Sequence, residues 1–180
     1  LGPEYSEEYI SDLIKSKNLK QKYQITKPKN INKEVAKLLA KGEIVSRCSG
    51  KSEWGARALG NRSILANPKD KDTIRDLNET IKDRDFWMPF TPSMLDTSEK
   101  DYIKNPKNAP GNFMAITFPS TEKAQEDLPA AMHPYDFTIR PQLLEKKYNP
   151  DYYEIISEFK KLTKKRAKIE GDGFMMRVPV

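Results

Sequence analysis

Apolar residues recur at helical spacing in four stretches. Tyr9, Ile10, Leu13 and Ile14 mark a first helix that Ser6 can cap and that runs to about Lys15. Val35, Leu38 and Leu39 predict a second over 33–41, capped by Asn32 and stopped by Gly42. Ile74, Leu77 and Ile81 form the stripe of a third, opened by Asp70 or Asp72 and ending near Asp83. Tyr153, Ile156 and Phe159 line a last helix from Pro150 to about Leu162.

Between them lie short runs that read as strands: 43–47 (EIVSR), 62–66 (RSILA), 112–118 (NFMAITF), 130–133 and 137–144. Segment 86–95 carries two prolines, which predicts an edge strand or an extended loop. Residues 96–111 read as loop, and 163–180 show neither periodicity. Interleaved helices and strands predict an α/β or α+β domain.

Composition narrows this reading. The 180 residues suit one domain with short extensions, and neither a repeat nor a low-complexity tract is visible. A single Cys (Cys48) excludes an internal disulfide and a cysteine-rich zinc site, and a single His (His133) excludes a multi-histidine metal centre. Cys48 is expected to be a buried strand-end residue. No apolar run is long enough to span a membrane. Glu4, Glu7 and Glu8 interrupt the place where a signal peptide would carry its apolar core, so a cytoplasmic location is expected. The net charge is +6, and residues 160–180 hold seven basic against two acidic residues, +5 of that total. A near-neutral body argues against nucleic acid as the partner.

Candidate chemistry gathers in three clusters. In GKSEWGARALGNRSILANP, Gly55 and Gly60 bracket Arg57, and Asn61, Arg62 and Ser63 follow. Glycines let backbone approach a ligand closely, and guanidinium forks bind phosphate or carboxylate bidentately. The pattern is neither a Walker loop nor a dinucleotide fingerprint, and a Gly-rich turn with surface arginines reads as well. Asn78 and Lys82 share a helix face, with Arg84 just beyond, although pattern alone favours a solvated face with Asp83 and Asp85 as partners. In HPYDFTIRPQ, His133, Asp136 and Arg140 sit about a turn. One imidazole and one carboxylate are too few for a metal, and His133 as a general base stays open.

Taken in order, GKSEWGARALGNRSILANP, LNETIKDRDFWMPFTPSML, LPAAMHPYDFTIRPQ and NPDYYEIISEF resemble the C-terminal domain of the NodU/CmcH-type carbamoyltransferases over about residues 43–162. The resemblance implies a YrdC-like twisted sheet with flanking helices, following an actin-like, metal-binding transferase domain. It implies carbamoyl phosphate and ATP, with Mg²⁺ on the triphosphate, as substrates for carbamoyl-adenylate formation, and carbamoyl transfer to a small-molecule or glycan hydroxyl by the actin-like domain. Arg57, Arg62, Lys82 and Arg140 fall on positions expected to bind phosphates or the carbamoyl group. Gly55, Gly60, Asn61, Ser63, Asn78, Arg84, His133 and Asp136 are assigned to substrate binding. A cationic site without a nucleophile suits catalysis by positioning and charge stabilisation.

The sequence departs from the family pattern in three places. Ala56 stands where Pro is usual, Met88 replaces an Arg, and the chain after the last helix lacks N-T-S-F-N. The expected organisation is therefore residues 1–27 as a helix, strand and linker to an upstream domain, 28–162 as the carbamoyltransferase C-terminal domain, and 163–180 as a divergent basic tail with a truncated C-terminus. A YrdC-like RNA-binding module and an inactive remnant are the alternative readings.

Overall fold

A computed structural model describes residues 2–79, 88–166 and 175–179, with the backbone alone described at 165–166 and 175–179. The predicted Lys82, Arg84 and Ile81 lie outside the described residues.

Helix α1 (Glu7–Ser16) starts where Ser6 Oγ accepts the Tyr9 N–H at 3.2 Å. Helix α2 (Ile31–Ala40) begins two residues before the expected place, because Asn30 caps it through the Lys33 N–H. Asn32 instead turns inward and donates to Glu154 at 2.8 Å. Two strands follow, β1 (Val45–Cys48) and β2 (Arg62–Ala66). Then come α3 (Asp72–Leu77), β3 (Thr91–Leu95), α4 (Glu99–Tyr102), β4 (Phe118–Pro119), α5 (Glu122–Asp127), β5 (Thr138–Ile139) and β6 (Gln142–Leu144). The chain closes with α6 (Pro150–Arg166) and β7 (Met175–Pro179).

The main sheet runs in the order β1-β2-β7-β3-β6, antiparallel except for the parallel β3/β6 pair, and β4 pairs with β5 apart from it. Alternation along the strands sorts side chains onto two faces. Leu65, Leu95 and Leu144 meet Leu39 of α2 and Tyr152, Ile155, Ile156 and Phe159 of α6. Ile64, Met94 and Leu143 face the opposite way, against Leu77, Tyr102, Phe118, Leu128 and Ile139. β2 from Ser63 onward and all of β3 are buried on both faces. The fold is mixed α+β, as expected.

Several local expectations change. The stretch 163–180, read as irregular, continues α6 to Arg166 and then supplies β7, which stands between β2 and β3. Segment 86–95 supplies β3, an inner strand rather than an edge or a loop. Pro92 stands opposite Met176 of β7 but one residue before the β3/β6 ladder begins at Ser93, so only one flank is paired beside it. Residues 112–118 supply strand only at Phe118, and 130–133 form a 3₁₀ turn over Pro129–Ala131. Arg140-Pro141 divides 137–144 into β5 and β6. On α6 the fully buried tyrosine is Tyr152, not Tyr153. Cys48, expected to be buried, is exposed at the end of β1. No residue of α1 is buried, and Tyr9, Ile10 and Leu13 face outward. No helix among the described residues is long and apolar enough to cross a membrane.

Candidate functional site

β1 and β2 form a hairpin in which Cys48 opposes Arg62, and the Ser49 N–H donates to the Asn61 carbonyl at 3.0 Å. The Gly-punctuated segment is the loop of this hairpin. Its organiser is Glu53, a residue the sequence reading passed over. Glu53 Oε1 accepts the backbone N–H groups of Leu59, Asn61 (2.6 Å) and Arg62 (3.4 Å). Burial pushes the Glu53 carboxyl up, but these donors outweigh it and hold the group below the ordinary carboxylate range. A Glu six residues before the first of its donors was the available signal, yet nothing local distinguishes it from a solvated acid.

The same loop is tied to the rest of the fold at several points. The Gly60 N–H donates to the buried Ser63 Oγ at 3.2 Å. Arg47 Nε donates to the Gly60 carbonyl at 2.9 Å. Burial draws the Arg47 guanidinium down from its ordinary value, opposed by the nearby Asp151 and Glu53 carboxylates. Asn149, which caps α6 by accepting the Tyr152 N–H, donates to Asn61 Oδ1 at 2.8 Å. Gln142 accepts the Ser93 hydroxyl at 3.0 Å and donates to the Leu59 carbonyl at 3.1 Å, so a strand on the far side of the sheet also grips the loop.

The residues expected to bind ligand therefore divide. Ser63 spends its hydroxyl oxygen inside the hairpin, and Asn61 divides its amide between the Lys51 carbonyl of the loop and Asn149 of the α6 cap. Arg62 does the same, with Nη1 donating to the Ser49 carbonyl at 2.9 Å and Nη2 to the Gly50 carbonyl at 2.7 Å. It holds the loop closed and turns these nitrogens away from an external anion. Gly55 and Gly60 both adopt positive φ, 93° and 113°. Arg57, between them, is exposed and makes no hydrogen bond or ion pair among the described residues. Asn78 is buried behind α3 with Oδ1 unpartnered.

His133 and Arg140 meet in one cleft of about 300 Å³, lined also by the hydroxyl-bearing Thr91, Thr117 and Thr138 and by Met88 and Phe90. Arg57 and Arg62 do not line it. A second groove of about 420 Å³ shares His133, Met88 and Pro89 with the first and adds Ile74, Met132, Phe137 and Lys71. His133 thus stands between the two. Asp136 is a turn residue, its Oδ1 accepting both the N–H (2.9 Å) and the hydroxyl (2.8 Å) of Thr138. The Thr138 backbone donor is the main reason its pKa lies below the ordinary value. His133 Nδ1 lies 3.1 Å from the same carboxylate, an ion pair only when the imidazole is protonated. Among the described residues no three His, Cys, Asp or Glu side chains gather as a metal site.

Comparison with known proteins decides the family. The family described as "Carbamoyltransferase C-terminus" matches residues 36–170. The chain belongs to that family. This carbamoyltransferase C-terminal domain is 39% identical over 163 residues to the uncharacterized protein MJ1058 of Methanocaldococcus jannaschii, covering 90% of this chain and 26% of that protein. It is 34% identical over 142 residues to nodulation protein NolO of Bradyrhizobium diazoefficiens, covering 77% of this chain and 25% of that one. Nodulation protein U of Sinorhizobium fredii is 35% identical over 147 residues, covering 78% and 26%. The carbamoyltransferase C-terminal domain therefore spans about a quarter of the length of the curated relatives it matches. The family match begins within α2 and reaches past the 43–162 that the motifs delimit at both ends.

Proposed function

We propose that this chain is the part of a carbamoyltransferase that binds carbamoyl phosphate and ATP and joins them into carbamoyl-adenylate. The observation that carries the reading is the cleft where Arg140, His133 and three threonines converge in a member of this family. Its volume of about 300 Å³ lies at the small end of ligand sites and suits a compact phosphate ester. Arg140 lines it with a planar guanidinium, a group that suits phosphate, and the Thr91 and Thr117 hydroxyls can donate to phosphate oxygens, while the Thr138 hydroxyl donates to Asp136. The adjoining groove supplies apolar surface at Ile74, Met132 and Phe137 for the nucleoside, and the Lys71 ammonium.

The chemistry balances as two displacements. Water releases orthophosphate from carbamoyl phosphate and leaves carbamate. A carbamate oxygen then bonds to the α-phosphorus of ATP as pyrophosphate departs. Both steps concentrate negative charge on oxygen, so cations fixed in advance lower the barrier without a covalent nucleophile. Mg²⁺ would be held chiefly by the triphosphate oxygens, and no step is assigned to it. Delivery of the carbamoyl group to an acceptor hydroxyl belongs to the actin-like domain implied for the full-length protein.

Carbamoyl-phosphate-dependent exchange of labelled pyrophosphate into ATP tests this directly. Exchange by the chain, or by the chain joined to its upstream domain, is the expected result. Exchange that proceeds equally without carbamoyl phosphate, or unchanged by Arg140→Ala, would remove the proposal.

A further inference from the structure

Among the described residues, Asn18, Asn108, Met114 and Phe137 hold a positive φ without being glycine. Asparagine accepts this region readily, and a bulky side chain does not. Met114 is 2% exposed, so core packing offsets its strain. Phe137 sits at φ +56° with its side chain nearly half exposed, at 47%. Glycine would make the same turn without strain and without leaving an apolar ring in water.

The turn fixes that backbone from both sides. The His133 N–H donates to the Thr138 carbonyl at 3.0 Å, and the Phe137 N–H to the His133 carbonyl at 3.1 Å. The Thr138 N–H donates to Asp136 Oδ1 at 2.9 Å. The Cα–Cβ bond of Phe137 is thereby given one direction, and its side chain lines the groove of about 420 Å³. That groove shares His133 and Met88 with the Arg140 cleft, so a ligand with phosphate at Arg140 can reach Phe137 along one joined surface.

The chemistry of the groove suits a flat ring. Phe137 brings aromatic surface, and Met88 and Met132 bring thioethers, which make favourable contacts with ring edges. We infer that Phe137 is the base-stacking residue of this site: its ring takes the purine of ATP while the phosphates extend past His133 toward Arg140. The inference rests on the function proposed above. Backbone strain persists where a function needs the strained residue, and an exposed ring becomes favourable once a second ring excludes water from it.

The test compares ATP with inorganic tripolyphosphate, both as Mg²⁺ complexes, by calorimetric titration of the full chain. Phe137→Gly and Phe137→Ala should each weaken ATP binding about tenfold, the scale for loss of one base–aromatic stack. Tripolyphosphate, which has no base, should bind them as it binds the unaltered chain. Phe137→Gly should melt at a higher temperature than Phe137→Ala, because only the alanine keeps the strained φ. Phe137→Trp should retain ATP affinity and gain a fluorescence quench that ATP causes and tripolyphosphate does not; it serves if the smaller variants do not fold. Normal ATP binding by Phe137→Gly, an equal loss of ATP and tripolyphosphate, or a Trp variant that ATP does not quench overturns the inference and leaves the proposed site standing. An unaltered chain that binds neither ligand removes the proposed function and the inference with it.

Discussion

Gly60 packs its α-carbon against the ring of Tyr152: a β-carbon built on Gly60 would lie 2.4 Å from Tyr152 Cδ1 and 2.8 Å from Cγ. The glycine also sits at φ +113°, outside the range that other residues accept readily. Gly60→Ala should therefore cost about 2–4 kcal/mol, from overpacking and backbone strain together. Thermal unfolding would show it. Adding Tyr152→Leu should restore only part of the loss, because the smaller side chain relieves the clash and leaves the φ strain.

Stability should fall with acid through Glu53. Its folded pKa lies below the ordinary value of 4.5, so its contribution is complete above that value and is lost as pH drops through the folded pKa. Glu53→Gln should flatten the acid side of a stability–pH profile below about pH 5. At pH 7 the change should cost about 1–3 kcal/mol, the scale for hydrogen bonds to a charged group. Chemical denaturation across pH measures both. A parallel downward displacement of the whole curve would mean that the charge contributes nothing.

Arg62 and Arg140 should separate stability from binding. Arg62→Ala leaves the carbonyls of Ser49 and Gly50 without their guanidinium donor and should destabilise by about 1–3 kcal/mol. Arg140→Ala should slow pyrophosphate exchange by about 10²–10³, on the scale of removing one preorganised donor, with a smaller change in melting temperature. A matched pair of melts and exchange assays checks the contrast. Equal loss of exchange at equal stability in both variants would return Arg62 to the ligand site.

Gln142 should behave as a structural link between sheet and loop. Gln142→Ala leaves the buried Ser93 hydroxyl and the Leu59 carbonyl unpaired and should cost about 2–4 kcal/mol. Hydrogen exchange should show faster opening at Leu59 than in the unaltered chain. Replacing Ser93 and Gln142 together should cost less than the two single losses summed, because each alone strands the other's polar atom.

Much of the fold was legible from local pattern. Ser6 capped α1 as expected, Gly42 followed the end of α2, and Asn67-Pro68 closed β2. These are decisions taken within a few residues, by side chains that satisfy helix ends or by backbones that cannot continue. The errors lie where partners are distant. Asn30 and Asn32 are both competent caps, and Asn32 was drawn inward by Glu154, more than a hundred positions along the chain. Pro92 forbids an inner strand only if both flanks are paired beside it, which its own neighbours cannot reveal.

The family, the α+β class, most helix ends and the cationic side chains of a Gly-rich loop were readable along the chain, since each follows from residue identity and short-range order. Folding at a distance placed one cation on the loop carbonyls and another in the cleft. A guanidinium suits a backbone carbonyl as well as a phosphate, and pairing of β1 with β2 put two carbonyls under Arg62, while the turn at His133 put Arg140 in a cleft. Hydrogen bonds act over about 3 Å, so their partners are fixed by folded geometry rather than by spacing along the chain.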